Sequence, residues 1–411
     1  MGANAGFPKD CYVNHAFIRQ VSRSAVTARW LTVTAVALAA FIVMAVPGAA
    51  GRAAAAQAPL PPLNTQALAQ AIAGLPSSQQ SAAVVTVTGA SGSWSGSSGL
   101  ADLATGDPAT AADEVRIGSI SKTFIATVVL QLVAQQRISL DQPVQQYLPG
   151  LLRQDDPPIT IAELLNHTSG LGPADGTVNT GDAQWFLANR LGTYTTSQLL
   201  GPVLQQPLIF PPGTRQQYNG VNYIVLAMVI EKVTGHGYAQ EIERRILRPL
   251  GLDHTYIPAT SPVIPGPYLH GYYQQGAGEP LADISGQSPT LFGAQGAMIS
   301  TTGDLDQFIT ALFRGRLLPP AELDDMFTIP AAASGTIRYG MGLLAYTLTN
   351  GVTVWGHTGE TPGYASGVFA TRDLARTLAY AITPVGPASG SQVLAAELGT
   401  AEAAYNPPAS G

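Results

Sequence analysis

Apolar and polar positions alternate along this chain in three different rhythms. Residues 83–88 (AVVTVT) are β-branched and run into a Gly/Ser-rich turn, and residues 94–104 supply further strand. The rhythm changes over 119–136. There Phe124, Val128 and Leu132 share one helical face while Ile125, Val129 and Val133 share its neighbour. Apolar residues around most of the circumference predict a buried helix. Further helices are expected over 222–234, closed by Gly235, and from the cap candidates Thr302-Gly303-Asp304 to about Phe313. Strand rhythm returns at 346–354, where Asn350-Gly351 suits a type I′ hairpin turn. Residues 367–371 and 377–383 read as a strand pair around Arg372-Asp373, and 391–405 as a closing helix. Strands at both ends with helices between them predict an α+β fold. One antiparallel sheet is built from the N- and C-terminal segments, flanked by helices, with an inserted all-α lobe at about 137–300.

The third rhythm is an unbroken apolar run. Residues 30–46 (WLTVTAVALAAFIVMAV) hold 17 uncharged positions, preceded by Arg19, Arg23 and Arg29 and followed by Pro47-Gly48 and small residues. A basic stretch, an apolar core and an Ala-x-Ala tract describe a secretory signal, with cleavage expected at 53–57. An uncleaved anchor is the alternative, since 17 residues is just within the range that spans a bilayer. Either way the body is expected outside the cytoplasm, secreted or attached to the membrane through 30–46. The division that follows is 1–56 signal or anchor, 57–64 a Pro/Ala linker, 65–405 one domain and 406–411 a tail.

Composition narrows the function. The 411 residues are 46% hydrophobic and 11% charged, which suits a large core and excludes disorder. Past residue 56 there remain 15 basic and 25 acidic residues. Such a body lacks the basic stripe of a nucleic-acid binder. Cys11 is the only cysteine, so the body has no disulfide and no thiolate chemistry. The six histidines form no His-x-x-x-His pair, and no metal or other cofactor is implied. Nothing calls for an oligomer, and a monomer is expected.

Chemistry concentrates at Gly118-Ser119-Ile120-Ser121-Lys122. Ser119 opens the predicted buried helix and Lys122 follows one turn later, so both side chains leave the same face. A neutral serine needs a nearby base, and a lysine amine serves if burial lowers its pKa. Only three lysines exist in the chain. Tyr218, in the loop 211–223, is a candidate second acid/base. His357, among glycines in Trp355-Gly-His-Thr-Gly-Glu360, follows the predicted hairpin, where glycines let a strand edge approach a substrate. No Gly-x-Ser-x-Gly elbow is present, which sets aside an α/β-hydrolase.

These three segments, in this order, resemble the serine β-lactamase and penicillin-binding-protein superfamily, in the branch with class C β-lactamases, D-alanyl-D-alanine carboxypeptidases and related esterases. The stretches 161–171, 230–235 and 295–300 add to the likeness, which runs from about 65 to about 405. The resemblance implies a β-lactamase/transpeptidase-like fold and an acyl-enzyme on Ser119. It further implies proton transfer through Lys122, and Tyr218 as base for acylation and for activating water. His357, Thr358 and Gly359 would line the cleft, where Lys-Thr-Gly is commoner. The backbone N–H groups of Ser119 and Glu360 would form the oxyanion hole. The implied substrates are a D-Ala-D-Ala-type peptide or a β-lactam, with an esterase, another amidase or a non-catalytic binder of wall peptides or β-lactams as alternatives. One position departs from the pattern. Gly220 stands where Tyr-x-Asn or Tyr-x-Ser is usual, and Asn219 and Asn222 are the candidates to bind substrate in its place.

Overall fold

The computed structural model describes residues 60–90, 92–174, 183–274, 279–385 and 390–406. The signal or anchor expected at 1–56 lies outside the described residues. Among the described residues no helix is long and apolar enough to cross a membrane.

Eight strands form the main sheet. The front of the chain supplies β1 (Gln80–Gly89), β2 (Trp94–Asp102) and β3 (Asp107–Pro108). The back supplies β4 (Ile337–Tyr339), β5 (Leu344–Thr347), β6 (Thr353–Thr361), β7 (Tyr364–Ala370) and β8 (Arg376–Pro384). Their order is β3-β2-β1-β8-β7-β6-β5-β4, with every neighbouring pair antiparallel. The two ends of the body therefore meet at the middle of the sheet, where Val85 lies opposite Tyr380.

Period-two alternation splits these strands between two cores. Val84, Val368, Ala379 and Ala381 face one side, packed with α2 (Ser121–Ala134), α3 (Val221–Thr234) and α4 (Thr302–Phe313). Val85, Leu378, Tyr380 and Ile382 face the other, beneath the N-terminal helix α1 (Thr65–Ala71) and the C-terminal α5 (Gly390–Tyr405). Residues 121–130 of α2 are buried without a break. Each large aliphatic side chain so buried contributes about 1.5–3 kcal/mol. Phe124 of α2 stacks on Phe308 of α4 at 3.8 Å between ring centres. Arg376, fully buried, donates to Ala404 O (2.7 Å) and Pro61 O (2.6 Å) and so ties β8 to both terminal segments.

The regular structure between β3 and β4 is mainly helical. Val115–Arg116 pairs with Ile299–Ser300 at its base, and a two-residue ribbon joins Tyr272–Tyr273 to Ala282–Asp283, so the inserted lobe is not all-α as expected: its helices are joined by long loops and short ribbons. Two local expectations change. The hairpin between β5 and β6 exists, but Asn350 keeps a negative φ and its amide bonds Tyr405 O, which excludes a type I′ turn; Leu348 and Val352 close a longer loop instead. The cap of α4 is Thr301, whose hydroxyl accepts from Asp304 N, one residue before the expected candidates.

Candidate active site

Ser119 sits in a single 3₁₀ turn, Gly118–Ile120, that leads directly into α2. The turn is pinned by Ile117 N donating to Met298 O (3.0 Å) and by the Ser121 hydroxyl donating to Gly118 O (2.7 Å). Gly118 has φ +47°, and a Cβ there would lie 2.6 Å from Glu360 N. Only glycine lets β6 come this close to the nucleophile.

Two groups converge on the Ser119 hydroxyl. Lys122 Nζ lies 2.8 Å from Oγ and donates to Gln295 O at 2.8 Å. The Tyr218 hydroxyl donates to Oγ from the other side at 2.7 Å. Lys122 is 1% exposed, and burial drives its amine well below the usual lysine range. Burial, followed by the neighbouring Tyr339, drives the Tyr218 phenol well above its ordinary value. Both effects favour the uncharged forms. The phenol is therefore disposed to keep its proton and the amine to shed one.

The Tyr218 loop is held by a second loop that carries His167. Gln217 N donates to His167 O (2.9 Å), and Asn219 N donates to His167 Nδ1 (3.1 Å). The His167 ring packs on Tyr218 at 4.6 Å and on Tyr339 at 5.1 Å. Burial, then Lys122 and His357, keep this imidazole well below its usual pKa and neutral. Gln216 clamps β4 through Tyr339 O (2.7 Å) and Tyr339 N (3.0 Å).

The third wall is β6. Its β5 partner ends at Gly356, so His357 to Thr361 pair within the sheet on one side only. His357 turns toward Tyr218, with ring centres 5.9 Å apart. Its Nδ1 lies 2.5 Å from Thr358 O, which puts the proton on Nδ1, while buried Nε2 has no partner among the described residues. Burial, then Lys122, lower the His357 pKa to about 3, so it stays neutral. Thr358 shares the opposite face with Val354 and Glu360 and lines an apolar cavity beneath α5. A Cβ on Gly359 would lie 1.9 Å from Ile117 O, so this glycine is what seats β6 against the Ser119 turn.

Ser119, Lys122, Tyr218, His357, Gly359 and the Glu360 backbone are thus brought together. Asn219 and Asn222 are not at the cleft, which corrects their assignment as substrate contacts. Both are buried. Asn219 Nδ2 donates to Leu171 O (2.7 Å) and Gly172 O (2.9 Å), and its Oδ1 accepts from Val221 N. Asn222 Oδ1 accepts from Ser169 (2.7 Å). Their amides brace the two loops. Sequence reasoning missed His167, Tyr339 and Gln295. His167 and Gln295 lay in stretches that carried the family likeness, without a role attached.

A family model described as Beta-lactamase matches residues 68–401. A D-stereospecific amidohydrolase from Streptomyces sp. superimposes with TM-score 0.75 at 35% identity, covering 84% of this chain and 100% of that one. Penicillin-binding protein 4* of Bacillus subtilis (strain 168) is 28% identical over 296 residues, 69% of this chain and 63% of that protein. Esterase EstB of Burkholderia gladioli is 32% identical over 192 residues, 42% of this chain and 46% of that protein. The chain spans about half to just under two thirds of the length of these curated relatives.

Proposed function

The chain belongs to the beta-lactamase family, a family of serine hydrolases, and from that premise we propose that it is an extracytoplasmic amidohydrolase that forms an acyl-enzyme on Ser119 with D-amino-acid amides or short D-residue peptides. One observation carries the reading: the Ser119 hydroxyl is held between a buried lysine amine at 2.8 Å and a phenol at 2.7 Å. The extracytoplasmic placement rests on the leader at 30–46. The working unit is taken as a monomer, because one chain supplies every group of the site.

In the proposed cycle Ser119 Oγ attacks the substrate carbonyl and its proton passes to the lone pair of Lys122. The new oxyanion is held by the N–H groups of Ser119 and Glu360, donors fixed in place before the charge develops. As the C–N bond breaks, the Tyr218 hydroxyl protonates the departing nitrogen and takes a proton back from Lys122. Water then enters, loses its proton along the same route, and releases the acid and free Ser119.

The choice of substrate rests on charge. Among the described residues no arginine perturbs Tyr218, Tyr339, His357 or Glu360, and burial keeps His357, where the family more often has lysine, neutral. Such a cleft offers little grip to a terminal carboxylate and suits an uncharged leaving group such as ammonia. The name of the Streptomyces relative points the same way. Kinship with penicillin-binding protein 4* supports a second reading, a D-Ala-D-Ala-type peptide or β-lactam.

The test is incubation with D- and L-phenylalaninamide, an activated ester and a fluorescent penicillin, with mass spectrometry of the protein. The expected result is D-selective ammonia release and an ester-derived adduct on Ser119, both absent in Ser119→Ala; removing a nucleophile of this kind costs about 10⁴-fold or more. No adduct from any reagent and no amide turnover would overturn the hydrolase reading. Turnover confined to the D-Ala-D-Ala peptide or penicillin would transfer it to the second.

A further inference from the structure

Gly220 lies two residues after Tyr218 and one before α3, with φ −67° and ψ −29°. Any L-residue adopts these angles, so the backbone does not demand glycine here. Space does. A Cβ on residue 220 would lie 1.4 Å from Gln295 Oε1 and 2.6 Å from its Cδ. The end of the Gln295 side chain occupies the place from which a side chain at 220 would start.

Gln295 arrives from another part of the chain, a 3₁₀ turn at Gly293–Gln295. That turn is fixed to the nucleophile's own segment, since Met298 N donates to the Ser121 hydroxyl (3.3 Å) and Met298 O accepts from Ile117 N (3.0 Å). The Gln295 carbonyl accepts from Lys122. Its carboxamide is half-buried, and among the described residues no protein group shares a hydrogen bond with it. A donor and an acceptor therefore stand ready beside the Lys122–Ser119–Tyr218 cluster.

We propose that Gln295 is a substrate-binding and specificity-determining residue, whose carboxamide supplies from the opposite wall the amide that Gly220 lacks. Its Oε1 takes the N–H, and its Nε2 the C=O, of an amide group next to the scissile bond. Substrates with a peptide or acylamino group there gain the contact, and simple esters do not. Gly220 and Gln295 are then one exchanged pair: the amide has moved across the cleft, and the glycine is the vacated position. The inference rests on the acyl-enzyme reading above.

The experiment compares wild type, Gln295→Ala, Gly220→Asn and the double variant Gly220→Asn/Gln295→Gly. The readout is the ratio of kcat/KM for an N-acetyl-D-phenylalanine anilide to kcat/KM for p-nitrophenyl acetate. In Gln295→Ala the ratio is expected to fall about 10-fold, the worth of one or two neutral hydrogen bonds. Gly220→Asn alone forces the carboxamide aside and lowers the ratio similarly. The double variant, with the amide back at 220, regains most of it. An unchanged ratio in Gln295→Ala, or a double variant no better than the product of the two singles, overturns the inference. Should Gly220→Asn fail to fold, Gln295→Ala and Gln295→Gly decide it by the same ratio. A wild type without ester turnover or Ser119 adduct defeats the hydrolase reading itself, a result distinct from turnover with unaltered selectivity.

Discussion

Lys122 shows what the site costs. A lysine folded into an apolar helix must give up its proton or its hydration, and here burial drives its pKa well below the usual 10.5. Between its depressed pKa and the ordinary value of 10.5 the unfolded chain binds a proton that the native chain does not. Stability therefore rises with pH across that window. Lys122→Met is expected to abolish this rise, to stabilise the fold by about 0.5–2 kcal/mol and to lower acylation by about 10²–10⁴-fold; urea titrations across pH and burst kinetics with an activated ester check all three. The wild-type kcat/KM should fall as pH drops through the lysine's depressed pKa. It should show no alkaline limb from Tyr218, whose phenol is pushed well above 10. Legibility at this scale follows sequence distance. Ser119 and Lys122 are one helical turn apart, so their partnership could be read directly. Gln295 fills the space over Gly220 from 75 positions away, and no local pattern announces that. Asn219 and Asn222 were misread because a buried amide bracing a loop has the same letter as one reaching for a ligand.

Elements were read more securely than their ends. The apolar circumference of α2 and the Gly235 cap of α3 are properties of ten or more neighbouring residues, and both are found as expected. The turn before β6 depended on what Asn350 touches, and Tyr405 O decided it. β6 is the element on which the site turns, because it must lie against the Ser119 segment while remaining paired to β7. Gly359→Ala puts a methyl 1.9 Å from the Ile117 carbonyl, a backbone atom that cannot swing away. The expected outcome is a loss of about 1–3 kcal/mol, seen as a lower urea midpoint at unchanged m, with Ser119 labelling reduced by about 10²-fold as the Glu360 N–H moves off the oxyanion position.

At the scale of the whole molecule, strand patterns at both ends were enough to predict a sheet built from both termini, but not its order. That order depends on Val85 meeting Tyr380 and on Arg376 reaching Pro61 and Ala404. Arg376→Leu strands the buried Ala404 carbonyl, at a cost of about 1–3 kcal/mol, and releases Pro61 O at the edge of the fold. A markedly lower melting temperature is expected, with normal Ser119 labelling of the fraction that remains folded; circular dichroism and labelling on the same sample check it. The central seam also has a consequence in time. Ser81 and Thr383, whose hydroxyls lie 2.7 Å apart, are separated by 302 positions. A ribosome that has reached residue 350 has already released the serine, the lysine and the tyrosine, but not the imidazole, the oxyanion donor or the strand that closes the middle of the sheet. The nascent chain therefore lacks part of the site throughout its synthesis, and a chain cut short before its last strands is expected to show no Ser119 labelling rather than unguarded hydrolysis.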